Sequence, residues 1–229
     1  MPVGFQSIND AGAFQIDSEL RALTIRNKGT ATSGAIPVGD PSSYVDLPVS
    51  ADSLIAWRAP GVKICVVANY NGNIRLACFG AAFVSVQWWE FSPHVPSPER
   101  VGLQLFDAAG NLNYEASRGT FNYVTTLFGT GSVGLPGGRT YAIIPATLFA
   151  QVYRYIQPAG GTPGDYFLIA IGTTDMGMLD GGGLTVTRED CQGQVFGPYS
   201  ASEPIPIGWA DTINNGQTSQ WIVVDVTNF

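Results

Sequence analysis

The chain reads as an all-β protein of two tandem, duplicated β-sandwich-like domains joined by a proline-rich linker, and three observations carry that reading. Residues 3–17, VGFQSINDAGAFQID, reappear at 101–115 as VGLQLFDAAGNLNYE. Short apolar or alternating segments, bounded by glycine and proline, succeed one another through both halves. No segment sustains the three-to-four apolar spacing of a helix; Ala146–Tyr155 comes nearest and reads as strand or a single helical turn.

The echo preserves chemistry as well as spacing. Val3, Gly4, Gln6, Ala11 and Gly12 recur as Val101, Gly102, Gln104, Ala109 and Gly110, and Asp17 becomes Glu115. Gly29 to Gly34 resembles Gly129 to Gly134, and Tyr44, Pro48 and Trp57-Arg58 resemble Tyr141, Pro145 and Tyr153-Arg154. Each half closes on a Gln-Trp strand, Gln87-Trp88 in one and Gln220-Trp221 in the other. A repeat of this length is a domain rather than a solenoid unit. The expected division is 1–92, a linker at 93–100 containing Pro93, Pro96 and Pro98, and 101–229, the second copy carrying an insertion at 191–219.

Taken in order, Gly4–Ile8 and Ala13–Asp17 alternate around the turn Asn9–Gly12, and Leu103–Phe106 with Leu112–Tyr114 repeat that hairpin. Leu20–Arg26 alternates, Thr30–Pro41 is a loop, and strands are expected at Tyr44–Leu47, Leu54–Arg58, Lys63–Tyr70, Asn73–Phe79 and Phe83–Phe91. Asn71-Gly72 is a two-residue hairpin signal. Pairing Tyr70 with Asn73 sets Cys65 opposite Cys78 at a non-hydrogen-bonded site, where Cα atoms approach to about 4.5 Å. A disulfide is geometrically open there, although a reducing compartment favours two small apolar neighbours. The segment 191–219 is expected to be a surface excursion presenting Tyr199 and Trp209.

Composition narrows the function. Charged residues are 13 % of the 229, the net charge is −7, and no basic footprint exists for nucleic acid. Apolar runs are too short for a membrane span, and the amino terminus lacks the layout of a signal peptide, so synthesis in a cytoplasm without membrane insertion is expected. The lone histidine, His94, lies among linker prolines, far from any nucleophile–base relay. Gly129–Gly134 matches G-x-G-x-x-G, yet Leu135-Pro136 follows where a helix should begin. Asp175 and Asp180 are read as turn residues rather than calcium ligands, and the cysteine spacing fits no zinc site. No catalytic, cofactor or metal residue is assigned, and the chain is expected not to be an enzyme. Aromatics remain. Adjacent Trp88 and Trp89 point to opposite faces of a strand, one into the core and one to an interface. Trp57 and Tyr153 are expected to share a core role, with Trp221 also core. The contact candidates are Tyr199, Trp209 and the outward member of Trp88 and Trp89.

The hairpin motif G-[FL]-Q-x-[IF]-[ND]-x-A-G is carried by Gly4, Gln6, Gly12 and Asp17 and again by Gly102, Gln104, Gly110 and Glu115. With the closing Gln-Trp strand, it resembles small structural proteins encoded among the tail genes of tailed double-stranded DNA bacteriophages. The resemblance implies a virion protein of the tail tip, baseplate or fibre region, acting in assembly and host attachment. Its implied partners are other virion tail proteins, further copies of itself in a homo-oligomer, and a host surface glycan or receptor. A carbohydrate-binding β-sandwich module and a capsid decoration protein are the alternatives.

Overall fold

The computed structural model describes residues 6–8, 14–17, 23–37, 42–70, 72–93, 104–106, 110, 112–115, 119–158, 166–199, 202 and 213–229. Among them every regular element is a strand. The first half holds β1 (Gln6–Ile8), β2 (Phe14–Asp17), β3 (Thr24–Thr32), β4 (Ser42–Pro48), β5 (Leu54–Arg58), β6 (Lys63–Tyr70), β7 (Asn73–Phe79) and β8 (Ser85–Ser92). The second holds β9 (Gln104–Phe106), β10 (Leu112–Glu115), β11 (Tyr123–Phe128), β12 (Gly131–Gly134), β13 (Tyr141–Thr147), β14 (Ala150–Pro158), β15 (Tyr166–Leu179), β16 (Gly183–Tyr199), β17 (Ile213–Asn214) and β18 (Gln220–Asp225). The repeated motif folds alike in both copies, with Gln6 opposite Asp17 in one hairpin and Gln104 opposite Glu115 in the other.

The remaining strands form two sheets, ordered β11-β18-β13-β5-β8-β3 and β12-β16-β15-β6-β7-β4, with β14 added to β15 and β17 to β14. Read inward from either edge, the halves match: β3, β8, β5 mirror β11, β18, β13, and β4, β7, β6 mirror β12, β16, β15. The central pairs are antiparallel, Trp57 opposite Ile143 and Ile64 opposite Gly177, so an approximate two-fold relation passes through both sheets. Duplication was expected to give two separately cored sandwiches. Instead each half supplies three neighbouring strands to each of two continuous sheets, and one inter-sheet core gathers Leu47, Ile55, Trp57 and Val86 with Ile143, Leu184, Trp221 and Val223. A three-stranded half-sheet would leave β5 and β6 as open edges, and each is instead joined to the other half, β5 to β13 at Trp57–Ile143 and β6 to β15 at Ile64–Gly177. Gly177 lets the sheets approach at this seam, since a Cβ there would lie 2.8 Å from the Trp221 ring.

The pairing also corrects residue equivalences. Tyr44 and Tyr141, aligned by sequence, sit in different sheets, on β4 and β13. Trp57 is buried at 1 % exposure while Tyr153, its expected counterpart, is 43 % exposed on β14. Ala146–Tyr155 is strand, broken between β13 and β14. Residues 191–199 continue β16 rather than looping out, and 213–214 form β17; Trp209 and the linker 94–100 lie outside the described residues.

The β6–β7 hairpin keeps its expected start, Tyr70 opposite Asn73, but the register shifts between Val66 and Ala68. One extra residue moves every later side chain to the other face. Cys78 therefore pairs with Ile64 and enters the inter-sheet core, while Cys65 pairs with Ala77 and packs with Met176 on the outer face. The two thiols lie on opposite sides of one sheet and cannot be bridged.

Candidate functional site

Of the residues expected to make contacts, Trp88 and Trp89 do point to opposite faces, yet both are buried, at 7 % and 5 % exposure. Trp88 lies in the inter-sheet core across Gly29, whose absent side chain leaves room for the indole ring. Trp89 and Phe91 face outward into a second apolar layer with Ala142, Ile144 and Val224, closed over by Ile25, Phe121 and Phe229. Phe121 meets Phe91 edge-on, centroids 5.3 Å apart. That layer is what alternation alone does not reveal, and it removes both tryptophans as stacking platforms. Tyr199 is half-buried and stacked on Tyr166 at 5.6 Å, so one of its ring faces is taken.

Among the described large hydrophobic residues, the most exposed is one the sequence did not single out as a contact residue. Phe83, in the β7–β8 connection, is 69 % exposed and has a left-handed backbone, φ 54°. That conformation is disfavoured for a bulky side chain by about 1–2 kcal/mol. Two buried serines hold it. The Ser33 and Ser43 hydroxyls lie 2.8 Å apart, Ser43 donates to the Ala81 carbonyl at 2.6 Å, and Ser33 Oγ accepts the Val84 amide at 2.8 Å. The Phe83 amide itself donates to the Gly34 carbonyl, 3.2 Å away, tying the β3–β4 loop to the turn. Val84 drops into the core while Phe83 stands out beside this loop, where Ile36 is also exposed. Phe128, the last residue of β11, is 65 % exposed, and Phe106 on β9 is 52 % exposed. These side chains offer apolar contact area without chemistry of their own.

A buried charged cluster is centred on β15. Asp175, expected in a turn, sits mid-strand on β15 with 0 % exposure. Its carboxylate accepts from Arg188 Nε at 2.9 Å and Nη2 at 3.4 Å, and from Ser219 Oγ at 2.6 Å. The Arg188 guanidinium lies 3.5 Å over the centre of the Phe149 ring. Ser219 here gives its proton to a carboxylate already satisfied by arginine, an arrangement that fixes strands and does not activate a nucleophile. Asp180 closes the β15–β16 turn by accepting the amides of Gly182 and Gly183 at 2.8 and 3.0 Å. Among the described residues no three His, Cys, Asp or Glu side chains converge as a metal site, and no helix is long and apolar enough to cross a membrane.

In comparisons with known proteins, no family model matches the chain, and no curated protein or solved structure matches it.

Proposed function

We propose that this chain is a non-enzymatic structural protein of a bacteriophage particle, in the tail tip, baseplate or fibre region, where it joins neighbouring chains during assembly. The observation that carries the reading is Phe83. A phenylalanine 69 % exposed, in a backbone conformation it disfavours and anchored from below by Ser33 and Ser43, is organised for contact with another surface. The duplicated hairpin motif supports the particle assignment through its resemblance to tail-gene products. A composition with only 13 % charged residues is suited to a protein that is buried among neighbours.

The test is quantitative mass spectrometry of purified particles together with a Phe83→Asn variant. Asparagine tolerates a left-handed backbone, so the free variant should melt at or above the parent temperature. Its incorporation into particles should fall about tenfold, equivalent to ~1.4 kcal/mol of lost contact. Absence of the parent chain from particles would overturn the assignment, and undiminished incorporation of the variant would remove Phe83 from it.

A further inference from the structure

We infer that the sandwich carries a binding cavity for a phenol-like ring, at the place where its two halves cease to match. The cavity measures about 380 Å³ and is walled by Ile55, Trp57, Val66, Ile74, Pro145 and Leu148, with Ser53 among its lining residues. Both halves and both sheets contribute. Its size lies at the lower end of ordinary ligand sites, which run from about 300 to 1,000 Å³.

The two-fold relation says what shape is missing. Because Trp57 stands opposite Ile143 at the centre of one sheet, the counterpart of Ile55 is Tyr141. Because Ile64 stands opposite Gly177 in the other, the counterpart of Val66 is Leu179, and each is paired with a leucine, Leu76 and Leu184. At the opposite end of the core, Tyr141 and Leu179 are buried at 8 % and 5 % exposure, and the Tyr141 hydroxyl donates to the Pro136 carbonyl at 2.9 Å. A phenol ring therefore fills that end. At the cavity end isoleucine and valine stand in place of tyrosine and leucine, and the ring's volume is left open.

Polarity agrees with shape. Ser53 Oγ and Trp57 Nε1 are buried without a hydrogen-bond partner, and both residues line the cavity. An indole N–H only donates, whereas a serine hydroxyl donates and accepts, so a hydroxyl carried on an aromatic ring is a chemical match for either group. An alkane satisfies neither group, and a charged ligand meets no counter-charge in the wall. The ring can be a free phenol or the tyrosine side chain of another protein, which present the same chemistry. This site stands independently of any particle role.

The test uses the intact chain with p-cresol, toluene and N-acetyltyrosinamide, read by shifts of the Ile55 and Ile74 methyl signals and by tryptophan fluorescence. Saturable p-cresol binding is expected, with toluene about tenfold weaker, the ~1.4 kcal/mol of one hydrogen bond. Ser53→Ala should erase part of that preference without moving toluene. Ile55→Tyr copies the sister half, and should abolish p-cresol binding while keeping or raising the melting temperature. N-acetyltyrosinamide identifies the source: binding comparable to p-cresol fits a neighbour's tyrosine, and exclusion beside p-cresol binding fits a free phenol. Absence of saturable p-cresol shifts, or unchanged binding in a folded Ile55→Tyr variant, overturns the inference.

Discussion

Trp57 of the first half and Trp221 of the second meet edge to face at the centre of the core, ring centroids 6.4 Å apart and planes at 82°. Each tryptophan is packed against the other half within one shared core. Trp221→Ala should therefore cost about 3–5 kcal/mol and destabilise the whole chain in one transition. Urea unfolding followed by circular dichroism and by fluorescence checks this, and two separated transitions would contradict a shared core. Expressed separately, 1–97 and 98–229 should each lack a cooperative melt and regain one on mixing.

The Asp175–Arg188 pair is unevenly buried, with side-chain exposures of 0 % and 43 %. Removing the arginine strands a buried carboxylate, whereas removing the carboxylate leaves a cation that water can reach. Arg188→Leu should cost about 3–5 kcal/mol, and Asp175→Asn distinctly less. The counterpart of Asp175 in the first half is Val62, from the same pairing that sets Ile64 opposite Gly177. An Asp175→Val, Arg188→Leu double variant should consequently recover much of the loss of Arg188→Leu. Equal single-variant penalties in denaturant titrations would refute this account.

Acid should loosen the fold through Asp225 and Glu189. Burial pushes the Asp225 carboxyl up, but hydrogen bonds from Thr227 and the guanidinium of Arg139 together outweigh it and hold the group below its ordinary 3.8. The Lys63 ammonium holds Glu189 below its ordinary 4.5, against the opposing effect of burial. A depressed folded value means stability fully present above the ordinary value and lost as pH falls through the folded one. Melting temperature should be level from pH 7 to about 5 and fall below about 4, less steeply in Asp225→Asn; the Lys63–Glu189 pair, more open to solvent, should contribute less.

Burial pushes the Cys78 thiol up to about 11, against smaller downward pulls from Ser33 and Ser43, and Cys65 has no exposed surface. In a Cys191→Ser background, a thiol reagent at pH 8 should leave the native chain unmodified and react with both cysteines once urea unfolds it. Prompt reaction of the native chain, or a mass shift of an oxidised Cys65–Cys78 pair, would show the packing to be otherwise.

Strand positions were largely legible because alternation and the punctuation of Asn71-Gly72 act locally. The duplication was legible too, but its outcome was not: which edges pair depends on contacts between residues such as Trp57 and Ile143, far apart in sequence. The cysteine register failed on one bulged residue near Val67, which no propensity marks. Burial of Trp89 depends on Phe121 and Phe229, which arrive from distant segments. The cavity was hidden for a related reason. Matching Tyr141 with Tyr44 concealed that its true counterpart is Ile55, the substitution that opens the space.

The antiparallel seams at β5–β13 and β6–β15 have an evolutionary and physical corollary. A single ancestral copy would have offered two open sheet edges, each complementary to itself under a two-fold rotation, which is the geometry of an isologous homodimer. Joining two such copies end to end turns a bimolecular encounter into an intramolecular one, so the paired state no longer depends on concentration. Held in one chain, two such halves need not stay identical, and each end of a pseudo-symmetric sandwich can take a task of its own.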